Sequence, residues 1–301
     1  MRVDSYKALY LERIRMNNKN TGMITGIRLR RIICYIVLTI ISFLCLFWFY
    51  VLFINATRSH SQLTTQGFSA VPGQSLLQNW IHLAEGTIPI VRGMLNSLFV
   101  ASCSAILCTY FSAMTAYAIH AYDFKYKKFI FTFILMVMMI PTQVNALGFI
   151  KLLDKLHMDN SYWGLILPSI AAPITFFYIK QYMESSLPIS LVEAARIDGS
   201  GEFQTFNFIV MPLLKPALAV QAIFAFVGNW NNYFTPALIL HDSNKKTLPI
   251  LIAQLRGADF LKFDMGQVYV MIAFSIFPVI LVYLLLSKHI VGGIALGGVK
   301  G

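Results

Sequence analysis

Long uninterrupted apolar stretches dominate this chain. Six windows of 17 to 24 residues contain no Asp, Glu, Lys, Arg or His. They are residues 32–54, 96–119, 129–150, 163–179, 217–240 and 266–287. About 20 helical apolar residues cross a bilayer core of about 30 Å, and the backbone polar groups there must pair within the segment. The windows therefore predict six membrane-spanning helices, since a β-barrel would show alternating segments of about ten residues.

The composition supports a membrane protein and excludes other classes. Of the 301 residues, 57% are hydrophobic and 12% are charged, whereas soluble domains average about 25% charged residues. A soluble globular enzyme, a disordered chain and a coiled coil are therefore excluded. A net charge of +11 would suggest nucleic acid in a soluble protein, but in so apolar a chain it marks loops on the inner side of a membrane. We expect membrane lipid around the chain and no nucleic-acid partner.

The distribution of Lys and Arg predicts the orientation. Segments on one side of the six windows carry 16 of these residues and segments on the other carry 8, so we expect both termini in the cytoplasm. The loop at 241–265, with four Lys and Arg, fits this count least well. The expected parts are a cytoplasmic N-terminal segment at 1–31, a first transmembrane helix at 32–54, an extracytoplasmic loop at 55–95, a transmembrane domain of five helices at 96–290 and a C-terminal tail at 291–301.

The connection between the fourth and fifth windows is far longer than a minimal loop. Residues 184–216 read as two short amphipathic helices separated by a sharp bend. The first would begin after Pro188 and end at Gly199, because glycine accepts the left-handed conformation of a helix C-cap. The second would begin at Glu202, with Phe203, Phe206 and Ile209 on one side, and prolines would break it from Pro212 onward. The apolar face expected for the first helix comprises Leu191, Ala194, Ala195 and Ile197.

The charge of this connection bears on what it contacts. Arg196 is the only basic residue between Lys180 and Lys215, and the segment is net acidic. Helices that lie on lipid usually carry Lys and Arg on their polar face. The acidic composition therefore favours docking onto a protein, and an amphipathic hairpin lying on lipid is the alternative.

A motif within this connection resembles a known family. The run Glu193-Ala194-Ala195-x3-Gly199-x9-Ile209-x-Met211-Pro212 is similar to the E-A-A-x3-G-x9-I-x-L-P signature of permease subunits in binding-protein-dependent ABC importers. Met211 replaces the usual leucine, which conserves volume. The resemblance implies the all-α type I importer permease fold, with six transmembrane helices. It also implies that 184–216 couples the membrane domain to a cytoplasmic ATPase, through Glu193, Ala194, Ala195, Arg196, Asp198, Gly199 and Pro212.

Further motifs resemble the carbohydrate branch of that family, and in particular the maltose-type second permease subunit. They lie at 193–199, 213–219, 228–234, 247–249 and 293–301. The resemblance implies import of a sugar or oligosaccharide across the bacterial cytoplasmic membrane. The partners it implies are a second homologous permease subunit, an ABC ATPase dimer and an extracytoplasmic sugar-binding protein.

The chain lacks a nucleotide-binding motif of its own. Gly293 and Gly298 have the glycine spacing of G-x-x-x-x-G-K-[ST], but Val299 stands where the motif requires lysine. We therefore expect no catalytic residue, cofactor or metal in this chain, and we expect partner ATPase subunits to bind ATP and Mg. The tail at 291–301 is either a flexible end or a segment that reaches the ATPase, and the resemblance favours the second.

Uncharged polar residues inside the windows are candidates for a substrate pathway. Amides can bond sugar hydroxyls, and an aromatic ring can stack on the apolar face of a sugar. The candidates are Gln143, Asn145, Asn229, Trp230, Asn231 and Asn232. Packing between helices is the alternative role for each of them. Prolines within the windows would act as hinges or as fixed kinks, and they are Pro141, Pro168, Pro173 and Pro278.

Two other function classes fit less well. An ion-coupled secondary transporter of a small polar solute would ordinarily need a charged residue or histidine inside a span, and the six windows contain none. An intramembrane enzyme would need a carboxylate pair, a metal-spaced histidine cluster or an activated nucleophile. The six histidines are scattered singly near predicted loops, which favours neither.

Overall fold

The structure, a computed structural model, describes residues 2–86, 88–141, 143–257 and 264–297, with side chains described between 28 and 289. Every regular element within these residues is helical, as the apolar windows predict. The first eight helices are α1 (Arg2–Ala56), α2 (His60–Thr65), α3 (Leu76–Glu85), α4 (Ile90–Ala121), α5 (Lys127–Met138), α6 (Ala146–Lys155), α7 (Trp163–Ile166) and α8 (Pro173–Ser186). The remaining seven are α9 (Ile189–Ile197), α10 (Glu202–Thr205), α11 (Met211–Leu213), α12 (Lys215–Trp230), α13 (Phe234–Ile239), α14 (Leu248–Arg256) and α15 (Met265–Gly297).

Four stretches of the described chain are long and apolar enough to cross a membrane as helices. They are Arg28–Ala56, Ile90–Ala121, Trp163–Ser186 and Met265–His289. A fifth is formed if Glu202–Leu213 and Lys215–Trp230, which meet at an angle of 83°, are one bent span. The predicted tail is helical as far as Gly297, and residues 298–301 lie outside the described part. The count of six spans stays a prediction.

The third apolar window is not one helix, and the prediction of a continuous helix over 129–150 is wrong. α5 ends at Met138 and α6 begins at Ala146. Pro141 lies in the gap, where it removes a backbone donor and disfavours helical geometry at Ile140. The break carries polar residues but no charged one, which is why a window defined by the absence of charge did not reveal it.

The fourth and fifth windows are also interrupted. In the fourth, a 3₁₀ turn at Pro168–Ile170 separates α7 from α8, which starts at Pro173. In the fifth, α12 ends at Trp230 and α13 starts at Phe234. The intervening asparagines can hydrogen-bond nearby backbone groups and so compete with helical bonding. Pro278, by contrast, lies inside the unbroken α15.

α4 connects the two ends of the bundle, because its residues contribute to the hydrophobic cluster at each end. In its first half, Ile90, Ala101 and Ala105 join a cluster with residues of α12, α14 and α15. Near the C-terminal end of α4, Ala116 and Tyr117 join a cluster with residues of α8 and α9. We call these regions the α14 end and the α9 end of the bundle. α1 packs against α15, and none of its most apolar window is buried within the chain.

At the α14 end, hydrogen bonds fix the approach to α14 against α4. The Asn96 side-chain amide donates to the carbonyl of Lys246 over 3.0 Å, and the backbone N–H of Leu248 donates to the hydroxyl of Ser97 over 2.8 Å. A Cβ added at Gly93 would lie 2.2 Å from Cδ1 of Leu251. A side chain at this position would require the buried Leu251 to shift, so glycine suits the close approach of α14 to α4.

A single residue, Asn160, joins two loops at the same end. Its N–H donates to the carbonyl of Ile239 over 3.1 Å, and its carbonyl accepts from Nζ of Lys245 over 2.8 Å. Its side-chain Oδ1 accepts from the backbone N–H groups of His241 and Asp242 over 3.1 and 3.2 Å. Asn160 adopts a left-handed φ of 51°, which asparagine tolerates better than most residues.

The coupling segment and the polar cavity

The turn after α9 has the geometry that the sequence predicts. Gly199 has a φ of 79°, in the left-handed region. The N–H of Ser200 donates to the carbonyl of Ala195 over 2.9 Å, and the N–H of Gly199 donates to that of Arg196 over 3.1 Å. These two bonds are the 6→1 and 5→2 bonds of a Schellman motif. The predicted glycine C-cap at position 199 is therefore confirmed.

An ion pair closes the bend between α9 and α10. Arg196 Nε lies 2.6 Å from Oε1 of Glu202, and the guanidinium carbon lies 5.0 Å from the ring centroid of Tyr122. The hydroxyl of Tyr117, on α4, donates to Oε2 of Glu202 over 3.0 Å. The hydrogen bond to Glu202 raises the pKa of the Arg196 guanidinium above its ordinary value. Arg196 thus holds the bend against the C-terminal end of α4, a role that the sequence motif did not indicate.

α9 buries a different face from the one predicted. Val192 is fully buried and Ala195 is 5% exposed, whereas Ile197 is 86% exposed and Leu191 is 38% exposed. The predicted apolar face is therefore confirmed only for Ala195 and is wrong for Leu191, Ala194 and Ile197. The contacts of Val192 with the α9-end cluster accompany this different rotation of the helix. The exposed side of the segment carries most of the motif residues, namely Glu193, Ala194, Asp198, Gly199 and Pro212.

The second helix of the segment contains a π-helical turn at Phe206–Val210. Phe206 is 2% exposed, and its ring lies 5.6 Å from those of Tyr110 and Tyr117. Phe203 is 69% exposed, so these two phenylalanines do not share one side as predicted. The helix instead buries Thr205, Phe206 and Val210, which leaves Phe203 exposed.

A cavity of about 300 Å³ lies where the third, fourth and fifth windows are interrupted. Residues from the break before α6, from α7 and the 3₁₀ turn, and from the junction of α12 with α13 line it, together with α4. Among its described lining residues none carries a charged side chain. Its polar lining residues are Ser97, Asn145, Ser169, Asn229, Asn232, Thr235 and Thr247.

The structure brings together three of the six predicted pathway residues, namely Asn145, Asn229 and Asn232. Trp230 lies in the hydrophobic core instead, where it is 3% exposed and its ring centroid lies 5.8 Å from that of Phe226. Asn231 and Gln143 are exposed and lie outside the lining of the cavity. Asn229 and Trp230 are successive residues of α12 and point about 100° apart, and Asn231 follows at the helix end, so the four consecutive candidates do not all face one cavity.

A second cavity of about 740 Å³ adjoins the first, because Ser169 and Asn229 line both. Residues of α8 and α12 form most of its wall, including Thr175 and the buried amide of Gln221. Uncharged polar groups thus continue from the first cavity along these two helices.

Four polar residues of the first cavity were not among the candidates, namely Ser97, Ser169, Thr235 and Thr247. Ser97 and Thr247 are far apart in the chain and meet only because α14 packs on α4. No local pattern marks such a pair. Ser169 and Thr235 lie beside Pro168 and Pro236, and proximity to a proline within an apolar window could have indicated them.

A helical membrane bundle with interrupted spans around an uncharged polar cavity, and with a bent segment at one end, defines a membrane-spanning transport subunit. Residues 106–295 match the family described as binding-protein-dependent transport system inner membrane component. The chain belongs to this family, and it is an ABC importer permease, a multi-pass protein of the bacterial cytoplasmic membrane.

Individual relatives agree with this assignment. The chain is 34% identical to the arabinooligosaccharides transport system permease protein AraQ of Bacillus subtilis (strain 168), over 87% of this chain and 92% of the relative. It is 31% identical to the sn-glycerol-3-phosphate transport system permease protein UgpE of Yersinia pestis bv. Antiqua, over 87% and 95%. A chain in the crystal structure of a bacterial ABC transporter for import of the acidic polysaccharide alginate superposes with a TM-score of 0.71 at 21% identity, covering 87% and 96%, which shows a shared fold.

Proposed function

We propose that this permease carries a neutral sugar or oligosaccharide into the cell, with energy from ATP hydrolysed by a separate subunit. The uncharged polar lining of the 300 Å³ cavity carries the proposal. Amide and hydroxyl groups both donate and accept hydrogen bonds, as sugar hydroxyls require. The volume falls at the small end of ligand pockets, which span about 300–1,000 Å³.

The same lining argues against an anionic substrate. Burying a phosphate or carboxylate without a cationic partner is very unfavourable, and among the described residues of the lining none is cationic. Of the two kinds of relative, the arabinooligosaccharide permease is therefore the better guide to the substrate than the glycerol-phosphate permease.

Asn229 offers the most direct test of this pathway. Its side chain lines both cavities, and its amide donates a local hydrogen bond to the carbonyl of Ala225 over 2.8 Å, so it makes no described bond to another helix. Leucine at position 229 should therefore lower sugar uptake several-fold to about tenfold, since one hydrogen bond contributes about 0.5–1.5 kcal/mol. Uptake in membrane vesicles, normalised to the amount of inserted protein, measures the effect.

Asn231→Leu is the matched control, because Asn231 is exposed and outside the cavity lining. We expect its uptake to remain close to that of the wild type. Equal effects at 229 and 231 would contradict the assignment of the cavity to the pathway.

The second part of the proposal concerns the ATPase. We assign the α9 end to the cytoplasm, where residues 184–216 would contact an ABC ATPase dimer that binds ATP and Mg. Large apolar side chains support a docking role, since Ile197 is 86% exposed and Phe203 is 69% exposed at this end. Closure of the dimer would move this segment, and the bundle would change from inward-facing to outward-facing.

Replacing Ile197 by serine tests this docking. Because Ile197 is so exposed, the substitution should leave the isolated chain stable. Burial of an isoleucine against a partner contributes about 1.5–3 kcal/mol, so the affinity for the ATPase should fall about tenfold to a hundredfold. Co-purification with the ATPase subunit and ATP-dependent uptake are the measurements.

Two controls accompany this variant. Val71→Ser changes an aliphatic residue that is 71% exposed in the loop between α2 and α3, and it should leave ATPase binding unchanged. Ile197→Val keeps the apolar contact and should retain most binding. Wild-type ATPase binding by Ile197→Ser would refute docking through this face.

The proposed orientation of the bundle also suggests where the remaining partners would bind. The 740 Å³ cavity between α8 and α12 would face a second, homologous permease subunit, so that the two subunits share one pathway. The α14 end would face the extracytoplasmic sugar-binding protein. The apolar surface of α1 would contact membrane lipid, and residues 291–301 would reach the ATPase.

A further inference from the structure

Thr247 departs from the usual role of its position. It precedes the first residue of α14 in an extended conformation, with φ −84° and ψ 162°. A threonine at such an N-cap ordinarily accepts a hydrogen bond from the N–H of the second or third helical residue. Here the second residue is Pro249, which has no N–H, and the N–H of Ile250 donates to the backbone carbonyl of Thr247 over 3.1 Å. The side-chain hydroxyl therefore does not cap the helix.

The hydroxyl of Thr247 is also buried without a partner. The residue is 3% exposed, and among the described residues none makes a hydrogen bond to its Oγ1. Buried polar atoms of this kind are uncommon, and each calls for an explanation. Ser104 and Ser112 of α4 have unpartnered hydroxyls as well, but neither residue lines the 300 Å³ cavity, whereas Thr247 does.

The backbone on both sides of Thr247 is held in place by α4. Asn96 bonds the carbonyl of Lys246 over 3.0 Å, and Ser97 bonds the N–H of Leu248 over 2.8 Å. Ser97 thus takes over part of the capping that Thr247 would supply. Fixing the backbone on both sides is what a ligand-contacting residue needs, because the side chain is then positioned before the ligand arrives.

From this geometry we infer that Thr247 is a specificity-determining contact for a hydroxyl group of a neutral substrate. The inference rests on the proposed sugar pathway and adds the residue that recognises the ligand by a hydrogen bond at the α14 end of the cavity. Binding would require rotation about the Cα–Cβ bond to present the buried hydroxyl to the cavity that Thr247 lines, and threonine populates more than one such rotamer. A hydroxyl both donates and accepts, so it matches a sugar hydroxyl and disfavours a deoxy analogue.

Valine at position 247 isolates the hydroxyl, because it keeps the shape of threonine. We expect Thr247→Val to raise the half-saturating concentration for uptake about threefold to tenfold, the equivalent of one neutral hydrogen bond. Thr247→Ser keeps the hydroxyl and should stay within about twofold of the wild type. The valine variant should not lower the melting temperature, since the lost hydroxyl has no partner within the described chain.

The experiment uses the full transporter in proteoliposomes with ATP. Its probes are neutral trisaccharides (arabinotriose, maltotriose and raffinose), deoxy analogues of the transported one, and sn-glycerol 3-phosphate. Thr109→Val is the control, because Thr109 is a buried threonine of α4 outside this cavity, and its hydroxyl bonds the carbonyl of Ala105 over 2.6 Å.

The outcomes separate this inference from the proposed function. Support requires that the valine variant lose affinity for a transported trisaccharide and discriminate less against its deoxy analogue, while Thr109→Val does not. If the wild type transports a trisaccharide and Thr247→Val does so equally well, the assignment of Thr247 alone is overturned. Equal losses in Thr247→Val and Thr247→Ser, with lower melting temperatures, would also overturn it. Uptake of sn-glycerol 3-phosphate in place of every neutral probe would overturn the proposed substrate class and this contact together.

Discussion

Valine in place of Gly199 is expected to lower uptake strongly while leaving the chain inserted in the membrane. Gly199 adopts a φ of 79°, where an L-residue costs about 1–2 kcal/mol and a β-branched residue is a genuine outlier. An added Cβ would meet no described atom within 4 Å, so the penalty comes from the backbone rather than from a clash. The variant should shift the turn, displace Ile197 and Glu193, and reduce uptake to below about a tenth of the wild-type rate.

Gly201, two residues further on, supplies the control for this prediction. It has a φ of −68° and a ψ of 154°, with open space around an added Cβ. Valine fits that conformation, and its weaker helix-capping preference should cost less than about 1 kcal/mol. Gly201→Val should therefore retain most uptake, and Gly199→Asn should recover part of it because asparagine tolerates the left-handed region. Normal uptake by Gly199→Val, measured beside its membrane content, would mean that the bend does not transmit motion.

The position of the helical segments could be predicted from the sequence, but the breaks within them could not. A window free of charge indicates only that a segment is compatible with lipid, and residues 139–145 and 167–172 carry no charged residue, just like their neighbours. Prolines lie at or near the breaks, but the presence of a proline did not decide whether a helix breaks. Pro141 lies in a break and Pro173 begins a helix, whereas Pro278 lies within α15. A proline within an apolar window therefore does not by itself decide whether a helix ends there.

The two parts of the site were predictable to different degrees. The turn at Gly199 follows from local chemistry, because a glycine after an amphipathic run is a common C-cap. The cavity depends on tertiary neighbours: Asn229 on α12 lines it, whereas Asn231, two residues further on at the C-cap of α12, does not. Ser97 and Thr247 lie on segments that meet only in the folded chain. The residue types therefore suggested that amides line the pathway, while the folded structure determines which of these amides line it.

Loss of the Asn160 side chain is the second change expected to have a large effect. Oδ1 of Asn160 accepts two backbone N–H groups of the loop that follows α13, those of His241 and Asp242. α7, which follows Asn160, and α13 both line the 300 Å³ cavity, through Gly164 and Thr235 among other residues. Asn160→Ala removes both bonds and places an alanine at a φ of 51°. Two partly exposed hydrogen bonds and the backbone strain together should destabilise this end by about 1–3 kcal/mol.

A graded series separates the two contributions at position 160. Aspartate keeps an acceptor oxygen and tolerates the left-handed region, so Asn160→Asp should stay nearest the wild type in melting temperature and uptake. Glycine keeps the backbone freedom and loses the oxygen, and it should fall between aspartate and alanine. His157, in the same loop, has a similar φ of 53° and an exposed side chain, so His157→Ala reproduces the strain without the lost bonds. If His157→Ala is as impaired as Asn160→Ala, strain alone explains the effect. If instead Asn160→Ala lowers the melting temperature and uptake far more than His157→Ala, the amide oxygen of Asn160 holds the two walls of the cavity together. A rigid wall at the α14 end keeps Asn232 and Thr247 in fixed positions for the substrate.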